Sequence, residues 1–447
     1  MSGLSGTTTA RRSLTLLAAC SLSVAALLGA APPAPAGPAT GAAGPTAASS
    51  GPEAGASDPA AGASTGSGAA PAAAGRGTLL SAERILTLTP DGVRSALTAN
   101  GYPAGSVRYG VDAYRLRYLT VTPRGRTTVA SGLVVLPRGA HGTLPTVSYA
   151  HGTLVHRDDA PSVQPAGRNA AVPLAFAAAG RAATATDYLG LGLGPGTHPY
   201  LDIPSETSAQ LDMLRAARTH GRGLGRTLSR EVLVTGFSQG APAAMALGRA
   251  LQEGRDHGFR LGALAPVSGA YDLTGSELPA LLRGELEPRT AVFLAAYALV
   301  ALDRVHDVYD RPSDVFREPY ATTVEGLFDS RHTLAQVAAG TPGRLDELLT
   351  PHGLDLLARP TGGLAAGLKA TDDTCRTWRP EVPVRLYATE YDEQAVHANA
   401  IRCRADLERS GARARIVELG DVRLGGSPHF GSEPAALADL LTLPAAR

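Results

Sequence analysis

Val232-Leu-Val-Thr-Gly236-Phe-Ser238-Gln-Gly240 reads as an apolar strand running into Gly-x-Ser-x-Gly, and an alanine-rich helical pattern follows from Ala241 to about Glu253. A strand that reverses into a helix around one serine strains that residue and lifts its hydroxyl above the sheet edge. The helix N-terminus beneath it favours developing negative charge. Gly236 and Gly240 are then required, because side chains there would collide with the packed turn. Gly-x-Ser-x-Gly alone is a weak signal in a chain with 52 glycines. The flanking strand and helix are what make Ser238 a candidate nucleophile.

Working outward, Leu79 to Asn100 opens with short helical patterns, with Asp91 as an N-cap. Ala113 to Val121 alternates like a half-exposed strand, and Thr127 to Leu136 is its antiparallel partner across a Pro-Arg-Gly turn. Pro145 to Ala150 is a buried strand ending at His151-Gly152-Thr153. A helix over Ala170 to Ala179, a strand over Ala182 to Thr186 and a helix over Ser205 to His220 follow. Beyond the serine comes a strand, Leu261 to Val267. From Leu273 to about Pro380 the pattern is helical without a convincing strand. Its most apolar stretch, Ala291 to Asp303, is too short to span a membrane, so it packs on the sheet or lines a pocket. Strands Val384 to Thr389 and Ala414 to Leu419 flank a helix over Gln394 to Ser410, and Glu433 to Leu441 is helical again. Alternating strands and helices predict an α/β fold: a mainly parallel sheet covered by helices on both faces, with a helical cap of about residues 273–380 inserted before the penultimate strand.

The N-terminal part reads differently. Arg11-Arg12 precedes a mostly apolar run from Leu14 to Ala30, so residues 1–30 read as a secretory signal peptide. Leu17-Ala-Ala-Cys20 also resembles a lipobox, which would anchor the chain at the envelope through Cys20, and the paired arginines permit twin-arginine export. Residues 31–76, almost all Ala, Pro, Gly, Ser and Thr, have little bulk to bury and read as a disordered linker. That leaves 77–447 as the folded domain. A net charge of +1 with no basic block implies neither nucleic acid nor an acidic polymer as partner. Nothing implies an obligate protein partner. Lys369 is the one lysine among 41 basic residues, a bias of genome composition more than of function. Once a signal is removed, Cys375 and Cys403 remain as a disulfide pair for an oxidising compartment. No Cys/His cluster has zinc spacing.

A serine hydroxyl needs a base to take its proton, and the base needs an acceptor for its other N–H. His429 fits the base: of eleven histidines it alone follows the last strand, in the glycine-rich loop Gly425-Gly-Ser-Pro-His-Phe. Asp392, directly after the penultimate strand, fits the acid, with Glu390, Glu393 and Asp272 as rivals. His151-Gly152-Thr153 supplies the second half of an oxyanion hole, its N–H groups converging with that of Gln239 on a carbonyl oxygen. Gly190-Leu-Gly-Leu-Gly-Pro-Gly imitates a dinucleotide fingerprint. However, Pro195 interrupts it and no helix begins until about Ser205, so a nucleotide site is rejected.

His151-Gly-Thr, Thr186-Asp-Tyr-Leu-Gly-Leu-Gly with His198-Pro-Tyr-Leu, Leu211-Asp-Met-Leu-Arg-Ala-Ala and Gly236-Phe-Ser-Gln-Gly, taken in order, resemble the bacterial branch of the secretory lipase family, typified by the fungal A-type lipases. The resemblance covers about residues 110–435. It implies an α/β-hydrolase fold, a helical cap over the acyl site, and hydrolysis of carboxylic esters or triacylglycerols. It puts the triad on Ser238, Asp392 and His429, and the oxyanion donors near Thr153 and Gln239. Tyr149, His151, Gly152, Asp187 and Tyr188 would line the site. Ala241 stands where many bacterial relatives carry a further glycine, a conservative departure. The expectation is a secreted serine ester hydrolase working without metal or organic cofactor on a small-molecule or lipid ester, with transient contact to a lipid interface. Its rivals are a secreted serine peptidase of the same fold and a non-catalytic envelope-binding protein.

Overall fold

The structure is a computed structural model that describes residues 75–443. The expected signal segment, Cys20 and the linker up to residue 74 lie outside the described residues. Arg76, placed in that linker by composition, instead ion-pairs with buried Asp212 at 3.0 Å.

Nine strands form one sheet in the order β1-β2-β3-β5-β4-β6-β7-β8-β9. They are β1 Leu79–Leu88, β2 Val111–Val121, β3 Thr127–Pro137, β4 Thr143–Ala150, β5 Ala182–Thr186, β6 Thr227–Gly236, β7 Arg260–Leu264, β8 Val384–Ala388 and β9 Ala414–Glu418. Pairing is antiparallel from β1 through β3 to β5 and parallel from β5 through β4 to β9. Side chains alternate between two cores, as a period of two demands. On β3, Val134 and Leu136 face one core, while Leu133 and Val135 face the other. On β6, Val232 and Val234 oppose Leu233 in the same way. Helices Ile203–Gly223, Gly240–Gln252 and Ala398–Arg409 cover the first face, and Pro90–Ala99, Arg168–Ala178 and Pro428–Leu440 cover the second. The mainly parallel, doubly covered sheet expected from the alternation is present, and so is the α/β-hydrolase architecture that the resemblance implied.

Three local expectations are corrected. Leu79 to Leu88 is a strand, not a helical segment. Bulges between Leu79 and Ser81 and between Arg84 and Leu86 break its alternation, which hides it from a periodicity reading. Thr89, not Asp91, is the N-cap of the helix Pro90–Ala99, accepting from the Gly92 N–H, while Asp91 sits in the first turn. Similarly, Asp202 caps the helix Ile203–Gly223, which starts two residues before Ser205.

Between β7 and β8 every element is helical. This cap has its own apolar core, built on the helix Pro288–His306, and Val155, Tyr200 and Leu201 join that core from loops at the C-terminal edge of the sheet. Tyr297 of the same helix donates to the Leu154 carbonyl at 3.1 Å. The last cap helix, Gly362–Arg376, is stapled to Ala398–Arg409 by a disulfide between Cys375 and Cys403, the pairing the cysteine count predicted. No described helix is long and apolar enough to cross a membrane.

Candidate active site

β6 ends at Gly236 and the next helix starts at Gly240, so the chain reverses in three residues. Ser238 takes the strain, with φ +54°. Both glycines are sterically forced. A Cβ on Gly236 would stand 2.1 Å from the Gly240 carbonyl oxygen, and one on Gly240 would stand 2.0 Å from that of Ala150. The turn therefore closes against β4 as well as on itself.

His429 Nε2 lies 2.9 Å from Ser238 Oγ, and both carboxylate oxygens of Asp392 lie 2.9 Å from His429 Nδ1. Asp392 and His429 are buried, and the Phe237 ring covers the imidazole at 4.8 Å. Asp392 is itself pinned, since Oδ1 accepts the N–H groups of Gln394 and Ala395 at 3.0 and 2.8 Å. The rival carboxylates are engaged elsewhere. Asp272 pairs with Arg376 and accepts from Ser276 at 2.7 Å, and Glu390 is exposed. Glu393 accepts the backbone N–H of His429 at 3.0 Å and the hydroxyl of Ser427.

His429 differs in one respect from the loop expected. It is the second residue of a helix that begins at Pro428, with Ser427 as N-cap. The Ser-Pro pair is a helix-start signal. The two glycines before it disguise it.

The His151-Gly152-Thr153 loop lies against the serine. A Cβ on Gly152 would meet the Phe237 ring at 3.0 Å and Ser238 Cβ at 3.4 Å. Among the described residues, no acceptor engages the backbone N–H of Thr153 or Gln239. The remaining expected residues, His151, Asp187, Tyr188 and Tyr149, are buried. Tyr188, with φ +66°, donates its hydroxyl to the His151 carbonyl at 3.3 Å, and the two rings sit 4.4 Å apart. Burial pushes His151 down to about 4, so its ring is neutral. Asp187 accepts from Ser131 at 2.6 Å and from the Ser162 N–H at 3.0 Å. The glycine-rich turn packs on that carboxylate: a Cβ at Gly192 would stand 2.2 Å from Asp187 Oδ2. Close packing, not phosphate, accounts for these glycines. Tyr149 is buried with its hydroxyl on Glu433.

Sequence reasoning gave no role to three buried ionisable residues. Glu433, one helical turn after His429, receives the hydroxyls of Tyr102 and Tyr149, and burial raises its pKa. Glu206 and His198 both contact the side-chain amide of Gln239, at 2.6 and 3.0 Å. Burial pushes Glu206 up to about 8 and His198 down to about 3. The sequence offers only position: Glu206 lies four residues after the Asp202 N-cap and Glu433 four residues after His429. Among the described residues no His, Cys, Asp or Glu cluster could hold a metal ion.

No protein-family profile matches the chain, and no curated protein matches it in sequence. Solved structures do. The rice cell wall degrading esterase LipA from Xanthomonas oryzae is 26% identical, with a TM-score of 0.75 over 83% of this chain and 98% of that one. A ligand-bound form of the same esterase gives 25% and 0.74 over the same shares. Lipase A of Candida antarctica in its closed state is similar in fold at 16% identity, with a TM-score of 0.57 over 77% of each chain.

Proposed function

This chain is a lipase-like α/β-hydrolase, a carboxylic-ester hydrolase, and from that premise we propose that it works by a serine acyl-enzyme mechanism carried by Ser238, His429 and Asp392. The observation behind the proposal is the unbroken 2.9 Å relay from Ser238 Oγ through the His429 ring to the Asp392 carboxylate. With Nδ1–H donated to Asp392, Nε2 is the free lone pair and takes the serine proton as Oγ attacks the ester carbon. Asp392 holds that tautomer and stabilises the imidazolium. The oxyanion is received by the N–H groups of Gln239 and Thr153, whose loops are packed against the serine. Imidazolium Nε2–H then protonates the departing alkoxide, leaving the acyl group on Ser238. Water, deprotonated by the same nitrogen, attacks the acyl carbon, and Oγ recovers its proton as the carboxylic acid leaves.

Gly152 and Thr153 are the substrate-facing residues of the first loop. Tyr188 braces it through the hydrogen bond to the His151 carbonyl, while Asp187 is held by Ser131 and Tyr149 by Glu433. The substrate class is a small-molecule ester. Residues 1–30 direct export and are removed, 31–74 remain as a linker, and the Cys375–Cys403 disulfide suits an oxidising compartment. N-terminal sequencing of exported protein checks this part, and a mature chain still beginning at Met1 refutes it.

The decisive experiment is a fluorophosphonate probe combined with p-nitrophenyl esters of graded chain length and an aminoacyl amide. Stoichiometric modification of Ser238 with loss of ester turnover is expected. A Ser238→Ala protein that keeps more than about a tenth of wild-type activity refutes the serine mechanism.

A further inference from the structure

The side chain that follows the nucleophile is anchored more firmly than a surface turn needs. Gln239 Nε2 lies 2.6 Å from Glu206 Oε1 and 3.0 Å from His198 Nε2, and all three residues are buried. The placement of the ring proton on His198 has one solution. His198 Nδ1 is 3.0 Å from the Leu189 carbonyl, which can only accept, so Nδ1 carries the ring proton. Nε2 must then accept, and Gln239 gives one amide hydrogen to it and the other to Glu206. The cluster is fastened on three sides. Glu206 stands in the first turn of Ile203–Gly223, the backbone N–H of His198 donates to Ser330 Oγ of the cap at 3.0 Å, and the Tyr188 ring stacks on His198 at 5.6 Å.

Gln239 sits between strained Ser238 and Gly240, with φ −46° and ψ −40°. Its backbone nitrogen and Cβ are bonded to the same Cα at a fixed angle, and the peptide plane that carries the N–H is held on its other side by the strained turn at Ser238. Pinning the far end of the side chain therefore limits rotation about N–Cα and holds the direction of that N–H. We infer that Glu206 and His198 are positioning residues that fix the Gln239 side chain, and through it aim the Gln239 backbone N–H at the developing oxyanion. The inference rests on the serine mechanism proposed above. It extends the catalytic apparatus from the turn into the helix and loop behind it.

Gln239→Ala keeps the N–H and loses the anchor. Glu206→Leu removes the acceptor, whereas Glu206→Gln retains an acceptor oxygen at the same place. Each variant is measured for kcat and KM on p-nitrophenyl butyrate, per active site titrated with fluorophosphonate, and for Ki of a trifluoromethyl ketone that forms a tetrahedral adduct. Complete loss of an oxyanion donor costs about 100- to 1000-fold, so misaiming one should lower kcat roughly tenfold. For Gln239→Ala and Glu206→Leu, KM should stay within about twofold and the ketone Ki should rise by the factor by which kcat falls. Glu206→Gln should stay close to wild type. Should Glu206→Leu not fold, Gln239→Ala with Glu206→Gln carries the test. Unchanged kcat and Ki in Gln239→Ala, a loss confined to KM, or a Glu206→Gln protein as slow as Glu206→Leu overturns the inference. Those outcomes leave the serine mechanism standing, because it fails only if Ser238→Ala remains active.

Discussion

Glu393 accepts the backbone N–H of His429 at 3.0 Å while its neighbour Asp392 faces the ring of the same histidine. Adjacent carboxylates thus hold one residue in two ways, by its main chain and by its imidazole. Asp392→Asn offers the ring an amide and disturbs its tautomer, so kcat should fall by about 1000- to 10,000-fold. Glu393→Gln keeps an oxygen for the helix N-terminus, so activity should stay within several-fold, with a lower Tm. Steady-state kinetics with thermal unfolding on both variants checks the division. Equal losses in kcat would contradict it.

The serine turn tolerates no added carbon at Gly240. Its Cβ would overlap the Ala150 carbonyl, an atom of β4 backbone that cannot rotate away. Gly240→Ala should destabilise the domain by about 4 kcal/mol or more, or prevent its folding. Urea unfolding monitored by far-UV circular dichroism measures the change. A variant with wild-type stability would mean the turn is looser than described.

The Cys375–Cys403 disulfide joins residues 28 apart, and closing a loop of that size stabilises by about 3–4 kcal/mol. Cys403→Ala should lower Tm and leave kcat unchanged at temperatures where the fold persists. Intact mass after alkylation without reductant should show no modified thiol on the wild-type domain.

Burial sets opposite pH limits on stability. Glu206 and Glu277 are raised from 4.5 to about 8, so their contribution is complete below pH 4.5 and is lost as pH rises to 8. His151 and His198 are lowered from 6.5 to about 4 and 3, so theirs is complete above pH 6.5 and is lost as pH falls to those values. Between 4.5 and 6.5 the two slopes oppose each other. Tm should therefore plateau there, decline toward pH 8 and decline again below 4.5. Glu277→Gln keeps the acceptor used by Asn399 and should flatten the alkaline decline. A wild-type Tm that rises from pH 6.5 to 8 would contradict this.

The half-buried pair Phe293 and Leu294 occupies the cap helix, with Phe293 5.8 Å from Tyr297 and 6.2 Å from Phe328. If these side chains line an acyl path, a polar replacement should reduce kcat/KM for long-chain esters far more than for acetate or butyrate. A flat profile from C2 to C16, together with a lower Tm, would assign them to packing alone.

The features legible in the sequence were those written into neighbouring residues. The serine turn showed because its strand, glycines and helix are contiguous, and Asp392 and His429 because each follows a strand it can be counted from. β1 was hidden by two bulges, and the start of the last helix by Gly425-Gly426. Glu206, His198 and Glu433 were given no role for another reason. What turns a helical glutamate inward is a partner from elsewhere in the chain, here Gln239 for Glu206 and Tyr102 for Glu433, and no local pattern records that meeting.

β7 meets β8 through Leu264 and Val384, with a further bridge from Val267 to Tyr387, and the whole cap lies between them in the chain. A ribosome adding roughly 5–20 residues per second needs on the order of ten seconds to make that interval. Throughout it, the seven strands already made end in the bare rim of β7, whose main-chain groups can pair with any passing strand. The nascent protein is thus most vulnerable to aggregation late in its synthesis, after the serine turn has been made and before the acid and the base exist. Shortening the cap would shorten the time a chaperone must guard that rim.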